Sequence, residues 1–244
     1  MNKWLGLLAF VAVLGASVAS HAFMGGGPAA QFFGDFKPVV GSWAEYVLTS
    51  KDEPPATMRI AIVGQEGEFY WYEMVMTAEE QDRAVTKILV SGNPQESVNL
   101  KKFIVKVGDQ PAMEMPIEMT QMGAPDDAEM PKTTSVDKGV ESVTVPAGTF
   151  KASHWLYTVD KMTSDVWVVE GIGPYGLVKS RTEDIDVALK AYGDGAKTLI
   201  TETPQKMTMP GMFGGGSQGM PPGAPPGMPK GTPPAAPPGG DDGE

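Results

Sequence analysis

Residues 67–77, GEFYWYEMVMT, decide the fold class of this chain. Alternate residues of a β-strand point to opposite faces of its sheet, so Phe69, Trp71 and Val75 would share one face. The opposite face would carry four more large apolar side chains, those of Tyr70, Tyr72, Met74 and Met76. A solvated antiparallel sheet shows polar residues on its outer face. This stretch therefore predicts a strand that is covered on both faces.

The same two-residue period recurs along most of the chain. It predicts strands in GSWAEYVLTS, TMRIAIVG, VNLKKFIVKVG, GVESVTV, TFKASHWLYTVD, SDVWVVEG, YGLVKSRTE, DIDVALKAYG and AKTLITET. Glycine-containing turn signals separate these segments. Short strands joined by tight turns are typical of an antiparallel meander, so we predict an all-β fold of about ten strands.

Residues 77–92 are the one segment that fits both a helix and a strand. Thr77 and Glu80 could begin a helix as a capping box, whereas RAVTKILVSG reads as a strand. We favour a strand over residues 84–90, and one short helix stays an alternative. Residues 112–132 have no clear period and contain three prolines, which predicts a long loop.

The two ends of the chain differ in composition from its middle. Residues 1–22 have a basic start, an apolar stretch and small residues before Ala22, the pattern of a cleaved secretory signal peptide. We predict a flexible segment over residues 23–30 and a β domain over residues 31–203. Residues 204–244 are rich in Pro, Gly and Met, which predicts a disordered tail.

Composition excludes several classes of function. The chain has no cysteine, which excludes disulfides, thiolate metal sites and attachment of a lipid to a cysteine. Its net charge is −11 and it has no basic run, so we expect no nucleic-acid partner. No segment after the signal peptide is apolar enough to span a membrane as a helix, and we predict a periplasmic or secreted protein.

The stretch VTVPAGTF, residues 143–150, predicts a hairpin. Val143 and Val145 would point to one face and Thr144 to the other. Pro146 has no backbone donor and ends the ladder, and Gly148 lets the chain reverse.

The order of these features resembles that of exported bacterial β-proteins of the LolA/LolB-like group, whose members include outer-membrane lipoprotein-sorting-like proteins of uncharacterised function. The resemblance rests on GSWAEYVL, IAIVGQEGEFYWYEM, VTKILVSG, VTVPAGTF and DVWVVEGIGPYGLVKS. It implies a strongly curved antiparallel sheet, or incomplete barrel, around an apolar cavity. In such a cavity the resemblance implies a lipid-like ligand and a role linked to lipoprotein handling.

Aromatic side chains of the strands are the candidate ligand contacts in such a cavity: Tyr46, Tyr70, Tyr72, Trp155 and Trp167. Any one of them could equally be a core residue.

Other chemistry-bearing residues form weaker patterns. His154 has no base or nucleophile partner signalled nearby, and we expect a partnered histidine, with no catalytic residue in the chain. Asp184 and Asp186 supply too few oxygen ligands for a Ca²⁺ site, and the acidic residues 126–129 are expected at the surface. The stretch GIGPYG lacks the residues of a phosphate-binding loop. We predict no cofactor and no metal site. Copper binding through thioethers is a minor alternative to flexible apolar packing, and it would use Met113, Met115, Met119, Met122 and Met130 with the tail residues Met207, Met209, Met212, Met220 and Met228.

The leading hypothesis is an exported, non-enzymatic protein that binds an apolar or lipid-like ligand. The alternative is a structural or interaction module of the cell envelope, in which the Pro-rich tail docks to a protein partner.

Overall fold

Twelve strands form a single sheet in the computed structural model, which describes residues 34–51, 53–117, 133–159 and 162–207. In chain order the strands are β1 (Trp43–Ser50), β2 (Ala56–Glu66), β3 (Phe69–Ala78), β4 (Ala84–Val90), β5 (Leu100–Val107), β6 (Met113–Met115), β7 (Thr133–Val145), β8 (Gly148–Val159), β9 (Met162–Val168), β10 (Leu177–Arg181), β11 (Ile185–Gly193) and β12 (Gln205–Lys206). A single turn of 3-10 helix, Ser97–Asn99, precedes β5. The predicted signal peptide and the segment 23–30 lie outside the described residues. The predicted disordered tail 204–244 begins with β12, and its part from residue 208 lies outside the described residues.

The sheet is curved and does not close into a barrel. Its strand order is β12-β6-β5-β4-β3-β2-β1-β11-β10-β9-β8-β7. All neighbouring strands are antiparallel except β12 and β6, which run parallel. The predicted fold class is therefore confirmed. The two strands beyond the expected ten are β6 and β12, with three and two residues, which are too short to show a period in the sequence.

Two local predictions are confirmed and one is wrong. Residues 84–90 form strand β4, not a helix. The hairpin of β7 and β8 turns at residues 146–147, with Val143 and Val145 buried and Gly148 at a positive φ of 133°. The predicted loop 112–132 instead begins with β6. Met113 pairs with β5 and β12, and Met115 pairs with β5 alone.

Strand β3 is buried on both faces, as its sequence predicts. Tyr72 and Met74 lie on what we call the inner face, together with Tyr46 of β1 and Ile60 of β2. Inner-face side chains of β3, β4 and β5 share one cluster with those of β9, β10 and β11, because the sheet curves around them. On the opposite, outer face, Val75 is buried in a second, smaller cluster.

The outer face is covered by the segment that follows β11, residues 194–204, which we call the strap. It starts beside β1, where Ala196 N donates to Gly41 O at 2.9 Å. It ends beside β6, where Gln205 N donates to Ala112 O at 2.8 Å. Between these points, Ile200 is buried in the outer cluster. Its partners there are Val75 of β3, Val85 of β4, Ile104 of β5 and Ala112, which precedes β6.

The predicted strand AKTLITET is wrong, because these residues belong to the strap. Residues 196–203 pair with no strand, because they cross the sheet instead of extending it. Their apolar residues look strand-like because Ile200 packs against the sheet while Leu199 stays partly exposed.

Glu73 of β3 fixes the strap to the sheet. Its side chain lies in the middle of the outer face and is 1% exposed. Its Oε2 accepts a hydrogen bond from the Thr198 hydroxyl at 2.6 Å, and both carboxylate oxygens accept from Leu199 N at 3.1 Å. Lys87 stands opposite Glu73 on β4. Burial lowers the pKa of Lys87, and the negative charge of Glu73 opposes that shift. A buried carboxylate is tolerated here because donors surround it.

Replacing Glu73 by Leu is expected to destabilise the protein by about 2–4 kcal/mol, because hydrogen bonds to a charged group are lost and the Leu199 N–H keeps no acceptor. Urea unfolding measures this change, and hydrogen exchange should show the Leu199 amide losing protection. The matched control is Glu66→Leu, which removes an exposed ion pair with Lys102 and should cost at most about 1 kcal/mol. Equal losses in the two variants would contradict the role given to Glu73.

Candidate functional site

The inner face of the sheet is filled with side chains. Tyr46 is fully buried, and its hydroxyl donates to Leu177 O at 3.3 Å. Tyr72 meets Tyr175 edge-on with ring centroids 6.4 Å apart, and Phe36 packs on both rings. Tyr175 belongs to the stretch GIGPYG, which therefore contributes to the core. Three of the five candidate ligand contacts, Tyr46, Tyr72 and Trp167, thus lie in the core.

A cleft of about 730 Å³ opens beside the curved sheet. Its walls come from the segment before β1, from the start of β3, from the β4–β5 connection and from β8. The lining residues are Gly34, Asp35, Phe36, Pro38, Tyr70, Ser91, Gly92, Asn93, Gln95 and Tyr157. This volume is within the range of small-molecule sites in proteins.

Curvature of the sheet creates this cleft. Tyr70 lies on β3 and Tyr157 on β8, and five strands separate them in the sheet: β2, β1, β11, β10 and β9. The segment before β1 spans the gap. It is held by Lys37 N, which donates to Pro174 O at 2.8 Å, and by the ring of Phe36 on Tyr175.

The cleft combines aromatic walls with a few polar groups. Gln95 N donates to the Asn93 side-chain oxygen at 3.1 Å, which shapes the β4–β5 connection. The Gln95 Nε2 is buried and has no hydrogen-bond partner among the described residues. Burial raises the pKa of the Tyr157 phenol, and the negative charge of Asp35 raises it further. The arrangement offers aromatic contact area, one carboxylate and the polar side chains of Ser91 and Asn93.

The five candidate residues do not form a single cavity. Tyr70 is the one among them that lines the cleft. Trp155 is half-buried opposite Val166 of β9. Trp167 is 7% exposed, and its ring stacks on His154 at a centroid distance of 4.4 Å.

His154 is a partnered histidine, as expected. Its Nδ1 lies 3.1 Å from Glu141 Oε1, and its Nε2 lies 2.6 Å from Asp165 Oδ1. Glu141 also accepts a hydrogen bond from the indole N–H of Trp167. With a carboxylate on each nitrogen and an indole on one face, the ring has no nitrogen left for an external substrate.

The remaining candidates have structural partners or lie outside the described residues. Asp186 pairs with Arg181 at 2.8 Å and Asp184 with Lys51 at 3.8 Å. Met115 packs against the inner core. The acidic residues 126–129 are outside the described ranges, as are Met119, Met122, Met130 and the tail methionines beyond Met207. In the described ranges no three His, Asp or Glu residues are grouped as a metal site would require.

Sequence reasoning did not single out most of the cleft. Asp35 and Phe36 precede the first strand, where no periodic pattern marks them. Asn93 and Gln95 lie in or beside a Gly-Asn-Pro turn signal, which predicts a loop but not what the loop faces. Only the long-range curvature of the sheet brings these residues to Tyr70 and Tyr157.

In the parts of the chain that the structure describes, no helix is long and apolar enough to cross a membrane. No protein-family model and no curated protein sequence matches the chain.

Solved structures provide weak similarities. A Bacteroides fragilis protein described as exported, with a YmcC-like fold, is 10% identical at a TM-score of 0.32, over 66% of this chain and 100% of that one. Protein CT021 of Chlamydia trachomatis is 12% identical at a TM-score of 0.39, over 69% and 94%. A chain of the Pseudomonas aeruginosa MucA/MucB complex is 9% identical at 0.37, over 65% of this chain and about half of that one, 53%. None of the three is described as a LolA or LolB protein. Because every TM-score is below 0.5, neither function nor ligand follows from them.

Alkaline titration tests whether the inner face is filled and dry. Burial raises the pKa of Tyr46, Tyr72 and Tyr175 well above the ordinary tyrosine value of 10.0. A raised folded-state pKa leaves stability intact below the unfolded value and removes it as pH rises above that value. Phenolate absorbance should therefore rise in two stages above about pH 10, the later one coinciding with loss of near-ultraviolet circular dichroism.

Tyr72→Phe should reduce the amplitude of the later stage. Complete ionisation of all six tyrosines while the native spectrum persists would show that the interior is open to water.

Proposed function

We propose that this chain is an exported, non-enzymatic binding protein whose ligand site is the cleft between Tyr70 and Tyr157. The ligand in this proposal is amphiphilic, with an apolar part of lipid-like character. The observation that carries the proposal is the cleft itself, which is large enough for a small ligand and combines aromatic with polar lining residues.

Because the interior of the curved sheet is filled with side chains, we place the ligand in the cleft and not inside the sheet. An acyl chain inside the curved sheet would have to displace Tyr46, Ile60 and Tyr72, each at most 2% exposed. Opening a packed core costs both contacts and hydrophobic burial. Phe36, Pro38, Tyr70 and Tyr157 in the cleft instead offer apolar area without such displacement.

Export and lipoprotein handling are also part of the proposal. Export rests on the signal-like pattern of residues 1–22. Lipoprotein handling rests on the LolA/LolB-like resemblance. Binding without catalysis is consistent with the two carboxylate partners of His154.

Binding of N-phenyl-1-naphthylamine, an uncharged apolar fluorescent probe, tests the cleft. The purified protein should enhance the fluorescence of the probe. Tyr70→Ala and Tyr157→Ala should each weaken binding about five- to tenfold, because an aromatic contact is worth about 1 kcal/mol or more. The control is Tyr192→Ala, a tyrosine that is 46% exposed and does not line the cleft.

Native mass spectrometry of the same preparation should reveal a co-purified small molecule that the Tyr70→Ala variant lacks. The proposal fails if the wild-type protein binds neither the probe nor any small molecule, or if all three tyrosine variants bind the probe alike.

A second candidate function is that of an envelope interaction module, and strand β7 favours it. This strand is last in the sheet, and in the described residues it pairs only with β8. Every residue from 134 to 142 is exposed, with Val136 at 52% and Val140 at 70%. Long exposed edge strands accept an extended segment of another protein. A partner docked through the Pro-rich tail belongs to the same hypothesis, and residues 208–244 lie outside the described ranges.

Site-specific photocrosslinking tests this alternative. A photoreactive amino acid at position 140 should capture one defined partner in cells. The same residue at Val98, which is 72% exposed in the turn before β5, should not capture it. Identical crosslinking patterns at the two positions would contradict a partner on β7.

A further inference from the structure

The charge on the lining of the cleft is negative. Asp35 is acidic, and none of the ten lining residues is Lys, Arg or His. The nearest basic residue in sequence, Lys37, lies 3.5 Å from Glu170 in an exposed ion pair. The chain as a whole has a net charge of −11. An anionic headgroup would therefore enter the cleft without a counter-charge.

The charge of Asp35 acts on the aromatic wall of the cleft. It contributes, after burial, to the raised pKa of the Tyr157 phenol, because a phenolate beside a carboxylate is repelled. The same potential has the opposite effect on a positive group, which it attracts.

Three aromatic residues line the same cleft as Asp35. Phe36, Tyr70 and Tyr157 all line the cleft. Aromatic faces attract ammonium groups, and clusters of aromatic rings are a known way of binding quaternary ammonium ligands. A carboxylate next to such rings adds direct charge attraction.

We infer that the cleft binds the cationic end of its ligand, an ammonium group held by the Asp35 carboxylate and the rings of Tyr70 and Tyr157. This inference rests on the proposed function and specifies its ligand class as an ammonium-bearing amphiphile. The alkyl part of such a ligand lies against Phe36 and Pro38.

Isothermal titration calorimetry with three octyl amphiphiles below their micellar concentrations tests the inference. Octyltrimethylammonium, octyl glucoside and octyl phosphate share one chain and differ in the charge of the head. The purified protein should bind octyltrimethylammonium about tenfold or more tighter than octyl glucoside, and octyl phosphate weakest of all.

Asp35→Asn should remove the preference for the ammonium head while leaving octyl glucoside binding unchanged. The matched control is Asp109→Asn, which changes net charge equally at an exposed turn outside the cleft. Both residues are exposed, so both variants should keep the wild-type circular dichroism and melting temperature.

The outcomes separate the inference from the proposed function. If octyl glucoside and octyl phosphate bind as tightly as octyltrimethylammonium, or if Asp35→Asn keeps the preference, the cationic ligand class is wrong and the cleft remains a binding site. If none of the three amphiphiles binds, the proposed function and the inference both fail. Binding of tetramethylammonium alone, as tight as that of octyltrimethylammonium, would overturn the amphiphilic character of the ligand.

Discussion

Strand β3 needs cover on both of its faces, and most of the structure follows from this constraint. Its inner face carries Tyr72 and Met74 and requires the sheet to curve around a shared core. Its outer face carries Val75 and the buried Glu73 and requires a second layer. The strap supplies that layer, and its donors Thr198 and Leu199 satisfy the carboxylate. The geometry is therefore fixed by apolar burial together with one buried acceptor that selects which segment crosses the sheet.

The same curvature explains both what is closed and what is open. Around Tyr46 and Tyr72 the inner side chains meet and fill the space between the two halves of the sheet. Farther along, at Tyr70 and Tyr157, the walls no longer meet, and a cleft remains. The segment with Asp35 and Phe36 gives this cleft its charge and part of its apolar lining. This cleft is the proposed ligand site.

The sequence predicted the local features of this fold well. Alternation placed Tyr70, Tyr72, Met74 and Met76 on one face of β3, and the Pro146–Gly148 region predicted the turn of the β7–β8 hairpin. These features depend only on neighbouring residues. The strap was read as a strand because crossing a sheet and extending it can use the same apolar spacing. Glu73 gave no signal, because an acidic residue in an apolar strand does not reveal that its partners lie 125 residues away. The cleft was missed for the same reason: its residues come from four separate segments.

A crystal structure of the protein grown with octyltrimethylammonium tests the central claim, that the ligand binds in the cleft and not inside the filled sheet. The account predicts the alkyl chain between Phe36 and Tyr70, with the ammonium group beside Asp35 and the side chains of Tyr46 and Tyr72 in their core positions. An alkyl chain inside the curved sheet, with Tyr46 and Tyr72 displaced to admit it, would contradict the account.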